Sequence, residues 1–174
     1  MDEYLAVMRW LHIGFGIVWI GLLYYFNFVQ VPAFAQMDVT ARQTAIRFLV
    51  SRGMLWFRWA ALLTALAGIL WVVGVLNHPS LGPTYFQSAQ WKSIAVGGTI
   101  GLIMFTNVWL IIWPNWKKVI EATTNTLVNQ TPAPPDQPKW ARTAFLASRT
   151  NTVLSIPMLF FMIASSHLGS LWAR

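Results

Sequence analysis

The sequence predicts an all-α fold: an up-down bundle of four transmembrane helices with both termini on the same, periplasmic side. Two observations carry that reading. The composition is 56% hydrophobic and 15% aromatic, with charged residues at only 10%, against about 25% in an ordinary soluble domain. With so few charges and eleven Trp, a soluble globule could not cover its own surface. The apolar residues also fall into four runs, at 8–31, 56–76, 94–113 and 153–171. Each is close to the ~20 residues that cross a ~30 Å hydrocarbon core at ~1.5 Å per residue. A chain of 174 residues suffices for one such domain, spanning 1–174.

The first run follows an acidic N-terminus, Asp2 and Glu3. Ala33-Phe34-Ala35 behind it has the small-x-small look of a signal-peptidase site. The run is longer than a signal h-region of about 7–15 residues and lacks a basic lead, so it reads as a retained helix. In the second run Ala61, Ala65 and Gly68, and in the third Gly97, Gly98 and Gly101, allow close helix contact. Pro157 predicts a kink in the fourth. Between the first two runs, 38–51 places Arg42 and Arg47 among Ala45, Ile46, Leu49 and Val50 at helical spacing. That predicts a short helix lying in the interface with its cations toward headgroups. Trp116, Ile120, Thr123 and Leu127 predict another helical stretch, and the proline-rich 131–138 an extended loop.

Charge sets the orientation. The segment 32–58 carries Arg42, Arg47, Arg52 and Arg58, and the segment 114–149 carries Lys117, Lys118, Lys139, Arg142 and Arg149. Only Arg9, Lys92 and Arg174 lie elsewhere. By the positive-inside rule the two basic connections are cytoplasmic, and the termini and the 77–93 loop face the other side. Trp10, Trp91 and Trp172 mark that outer interface; Trp56, Trp59, Trp113 and Trp116 mark the inner one. The expected location is a bacterial inner membrane. The formal charge of +7 and pI near 10.4 then reflect topology and anionic lipid, with no nucleic acid as partner.

Several chemistries are excluded. There are no cysteines, hence no disulfide, thiolate metal site or C-x-x-C-H for covalent haem. No P-loop, G-x-G-x-x-G or G-x-S-x-G occurs.

The three histidines all fall toward the outer face. His12 lies near the start of the first span and His167 near the end of the fourth, so both imidazoles sit at a similar depth. Two such histidines on two helices are what a non-covalent haem b needs as axial ligands to its iron. Gly14 and Gly16, with Gly169 near His167, would admit a flat ring; Phe15, Trp19, Phe160 and Ile163 would wall it. A proton or substrate role, or plain hydrogen bonding near the interface, remains open for the same pair. Met8, Met158 and Met162 are alternative axial ligands or packing, and His78 reads as a loop residue. A second polar group lies toward the inner side: Asn27, Gln30, Arg58, Asn107, Asn115, Arg149 and Asn151. An amide within a span needs a partner, so Asn107 reads as an interhelical hydrogen bond or part of a ligand site.

Arg9-Trp10-Leu11-His12 with Val18-Trp19-Ile20-Gly21 resembles the opening helix of the membrane-bound urate oxidase N-terminal family. The resemblance returns at Trp113-Pro114-Asn115, Lys117-Lys118-Val119, Arg149, Asn151, Leu154-Ser155-Ile156-Pro157, Met162 and Ser166-His167. It implies a membrane protein that oxidises urate and passes electrons to a cytochrome c. The chain's residues at the family pattern are His12, Asn115, Arg149, Asn151 and His167. More distantly, the opening helix resembles small four-helix b-haem proteins such as the membrane protoporphyrinogen oxidases. With no haem-attachment motif in these residues, the cytochrome c is expected to be a separate partner. Two rival readings stand beside this one. The chain could be a non-catalytic accessory subunit of a larger respiratory or photosynthetic complex, or a transporter using Asn107, Arg58 and Asn151 as a polar path.

Overall fold

The computed structural model describes residues 1–167; the expectations for Gly169 and Trp172 lie outside the described residues. Among those residues every regular element is helical and no strand occurs. Four long helices dominate: α1 Asp2–Gln36, α2 Val39–Leu76, α3 Ala89–Asn129 and α4 Gln137–His167, of 35, 38, 41 and 31 residues. Each is long and apolar enough to cross a membrane. Their outer faces bear it out: Ile17 is 69% exposed, Leu110 70%, Val153 67% and Ile156 66%, a surface that hydrocarbon covers and water does not.

Local chemistry sets the helix ends. The Asp38 carboxylate accepts the Ala41 N–H at 2.9 Å and the Ser88 hydroxyl accepts that of Trp91 at 3.0 Å, capping α2 and α3. α3 stops where Gln130 turns left-handed at φ 54° and donates its N–H to the Asn125 carbonyl. Three helices widen into π turns, at Tyr25–Gln30, Ile46–Val50 and Val108–Ile112. The first and third lie just before Pro32 and Pro114. A proline ring clashes with the carbonyl four residues back in a regular helix, and the wider turn lets the chain run on. α4 likewise continues through Pro157.

The helices outrun the apolar stretches that predicted them. The segment 38–51 is not a separate interfacial helix: from Val39 it is the opening of α2. Residues 116–127 continue α3, and α4 starts at Gln137, well before 153. The physical reason is that apolar runs report only the part of a helix matched to hydrocarbon, whereas backbone hydrogen bonding carries it on into water. Only 130–136 between α3 and α4 remains non-helical. At ~1.5 Å per residue α3 is roughly 60 Å long, about twice a hydrocarbon core. The surplus of α2, α3 and α4 lies mainly at the end that carries Arg42, Lys117 and Arg142, here the basic end. The opposite end, with His12, His78 and His167, is the histidine end.

α1 and α2 form one antiparallel hairpin, α3 and α4 another. The second is tight because Gly97 has no side chain: a Cβ there would stand 3.2 Å from Phe161 Cβ and 3.3 Å from the Met158 carbonyl. The hairpins share a core in the basic half and middle, built on Leu23, Phe26, Met54, Phe57, Met104 and Val108, all 5% exposed or less. In the histidine half they enclose a cavity instead.

Candidate functional site

That cavity measures about 940 Å³ and takes its walls from all four helices, including His12, Trp19, Gly68, Met158 and His167. The size lies at the upper end of sites that hold a cofactor or a drug-sized ligand, and walls that are mostly hydrocarbon are usual for them. Its surface is flattened by glycine: Gly16, Gly21, Gly68, Gly98 and Gly101 all line it. A Cβ at Gly21 or Gly98 would meet nothing within 4 Å, and one at Gly16 would reach only Thr64 Cγ2 at 3.8 Å.

His12 is half-buried on α1 and turned toward α2, its Nδ1 2.8 Å from the Thr64 carbonyl oxygen. A carbonyl only accepts, so in the neutral ring Nδ1 carries the proton and Nε2 keeps its lone pair. An imidazole whose other nitrogen is tied to a backbone carbonyl is the usual arrangement of a metal-ligating histidine, because the second bond fixes both tautomer and ring plane. Gly68 makes the approach possible: a Cβ there would stand 2.8 Å from His12 Nδ1 and 3.0 Å from Cε1. Sequence reasoning placed Gly68 only among helix contacts and passed over Thr64, whose contribution is a backbone oxygen that no side-chain pattern reveals.

His167 lines the same cavity but is exposed, and its Nδ1 lies 3.3 Å from the Ile163 carbonyl of its own helix. The two histidines therefore share a chamber while differing in how firmly they are held. Met158 and Met162 also line it, and Met8 does not. Of the other expected wall residues, Gly16, Trp19 and Ile163 line the cavity, whereas Gly14, Phe15 and Phe160 do not. Trp19 is 3% exposed and its Nε1 donor has no partner. An imidazole lone pair, a thioether and flat apolar walls fit a haem with axial histidine ligation. Among the described residues no group of three or more His, Cys, Asp and Glu side chains could hold a bare metal ion.

The polar residues of the basic half do not form one site. Asn107 donates from Nδ2 to Asn151 Oδ1 at 2.9 Å, and Asn151 Nδ2 to the Met104 carbonyl at 2.9 Å. Both amides are thus engaged in joining α3 to α4, and Asn151 is fully buried, which does not make a polar path. Asn115 bonds the Ile111 carbonyl within its own helix. Arg149 is exposed, its guanidinium carbon 5.3 Å from the Phe145 ring centre. Further bonds tie α1 to α4: Asn27 to Ser148 at 2.8 Å and Tyr24 with Ser155 at 2.9 Å. Arg58 lies over the Trp113 ring, 3.8 Å from its centre, a cation–π pairing that replaces an anion.

Residues 80–174 match the family model described as urate oxidase N-terminal. The matched stretch takes in α3, α4, Asn107, Asn115, Arg149, Asn151 and His167, and leaves out His12 with α1 and α2. No curated protein and no solved structure matches the chain.

Proposed function

The chain belongs to the urate oxidase N-terminal family, and on that premise we propose that it is a membrane-embedded haem b protein of urate oxidation. A separate cytochrome c is its electron acceptor. The observation that carries the reading is His12, whose Nδ1–H is committed to the Thr64 carbonyl and whose Nε2 is left free at the wall of a 940 Å³ cavity. Haem b supplies a one-electron couple when bound, its potential tuned by axial ligands and by burial.

The residues around it do the rest. His12 and His167 would hold the haem iron, and the Thr64 carbonyl holds the His12 ring in the tautomer that leaves Nε2 free. Gly16, Gly98 and Gly101 leave flat surface against which a macrocycle packs, and Trp19, Ile20 and Leu102 exclude water. The basic connections face the cytoplasm and the histidine end faces the periplasm of a bacterial inner membrane. The cavity's outer edge is then within reach of a soluble electron carrier.

An absorption spectrum of the protein purified from membranes, oxidised and then reduced, tests this directly. A Soret band with a sharpened α band on reduction is expected, and His12→Ala should abolish haem retention. Absence of the Soret band, also after hemin is supplied, removes the haem reading. Urate-dependent reduction of cytochrome c in membranes tests the substrate independently.

A further inference from the structure

A second cavity, of about 590 Å³, lies outside the first, between the start of α1, the end of α2 and the connection that follows. Arg9 and Trp71 belong to the walls of both, so the outer chamber adjoins the histidine cavity. Two polar groups on its wall have no hydrogen-bond or ion-pair partner among the described residues: exposed Arg9 and buried Tyr85. Arg9 lies with its guanidinium carbon 5.2 Å from the Trp71 ring centre, and no carboxylate pairs with it among the described residues. Asp2, also on the wall, is hydrogen-bonded to His78 at 3.1 Å and its side chain is 91% exposed. Tyr85 is 4% exposed, packed edge-on against Trp71 and Trp91, and its hydroxyl has no hydrogen-bond partner. Burial pushes that phenol up to about 12, against the opposing pull of Arg9, so at neutral pH it offers a proton.

An exposed cation that no carboxylate pairs with, and a buried donor without an acceptor, line one aromatic-walled chamber. We infer that this vestibule binds a small planar organic anion, with Arg9 supplying the countercharge and the Tyr85 hydroxyl donating a hydrogen bond. Charge-assisted bonds of this kind are the strong ones, and the guanidinium has donor edges to offer while its face rests on Trp71. Trp10 provides flat surface for the ring of the ligand. An anion held here stands at the entrance to the histidine cavity. The choice of urate as probe rests on the proposed function; the binding does not.

Calorimetric titration of the full chain in lipid nanodiscs, with no electron acceptor present, tests the inference. Urate, an anion at pH 7, is compared with hypoxanthine, a neutral purine of similar shape. Saturable urate binding is expected, with hypoxanthine at least about tenfold weaker. Arg9→Gln should weaken urate by about ten- to a hundredfold and Tyr85→Phe by about tenfold, and Arg9→Lys should recover part of the loss. Equal binding of the two purines, absence of saturable urate binding, or parental affinity in Tyr85→Phe overturns the inference. It is also overturned if Arg9→Gln leaves urate binding intact and lowers haem retention, since the cation then serves the carboxylates of the cofactor. Should Arg9→Gln fail to fold, Tyr85→Phe and Arg9→Lys still decide. A protein without a Soret band that nevertheless binds urate in this manner refutes the haem reading and leaves the vestibule standing.

Discussion

Gly68→Ala separates the role of His12 from the stability of the bundle. The added methyl would stand 2.8 Å from His12 Nδ1 and 3.0 Å from Cε1, closer than such atoms pack, so the imidazole has to move. It cannot do so and keep the 2.8 Å bond to the Thr64 carbonyl. Side-chain hydrogen bonds between membrane helices average about 0.6 kcal/mol and reach about 1.7. Replacing a glycine inside a helix with alanine recovers about 0.8–1.0 kcal/mol of helix propensity. The two nearly cancel, and the thermal midpoint should move by only a few degrees. Haem affinity should behave differently. Removing the outer partner of a ligating histidine costs about ten- to a hundredfold in affinity, or about 1.4–2.7 kcal/mol. Hemin titration of haem-depleted protein, followed at the Soret band beside a melting curve, reads both quantities. Gly14→Ala is the control, because its methyl meets nothing within 4 Å and the residue does not line the cavity. If Gly68→Ala binds hemin as tightly as the parent, the Thr64–His12–iron arrangement is wrong.

Asn151→Ala should destabilise the chain by about 1–3 kcal/mol in denaturant titration, since it strands the Asn107 amide between two helices and removes the buried Asn151 bond to the Met104 carbonyl; Asn115→Ala, which breaks only a bond within one helix, should fall within about 0.5 kcal/mol. Because the Tyr85 phenol titrates at about 12 in the folded chain against 10.0 ordinarily, its contribution to stability is complete below pH ~10 and lost as the pH rises toward ~12. Unfolding measured at pH 8 and pH 11 should show this loss in the parent and not in Tyr85→Phe. His167→Ala should keep haem through His12 yet accept added imidazole, seen as a shift of the Soret band. Retention of an unaltered six-coordinate spectrum in that variant would point instead to Met158 or Met162, both of which line the cavity.

Helix number and the gathering of the histidines at one end were legible in the sequence. Hydrophobic runs and charge placement are properties of the chain read in one dimension, and a membrane converts each directly into a position along its normal. Helix length was not legible. The helix read over 38–51 carries no sign that it runs on into α2, and no apolar run marks the start of α4 at Gln137, although backbone hydrogen bonding continues through both. The amide of Asn107 announced the need for a partner, and Asn151 supplies it across a hairpin interface that spacing alone does not define. What only the tertiary structure decided are distances between helices: the backbone oxygen of Thr64 that orients His12, the missing methyl of Gly68 that lets it approach, and the meeting of Arg9 with Tyr85. These depend on how two hairpins lean together over a few ångströms. Local sequence fixes depth and direction in a bilayer, while separation between helices follows from the packing of the whole bundle.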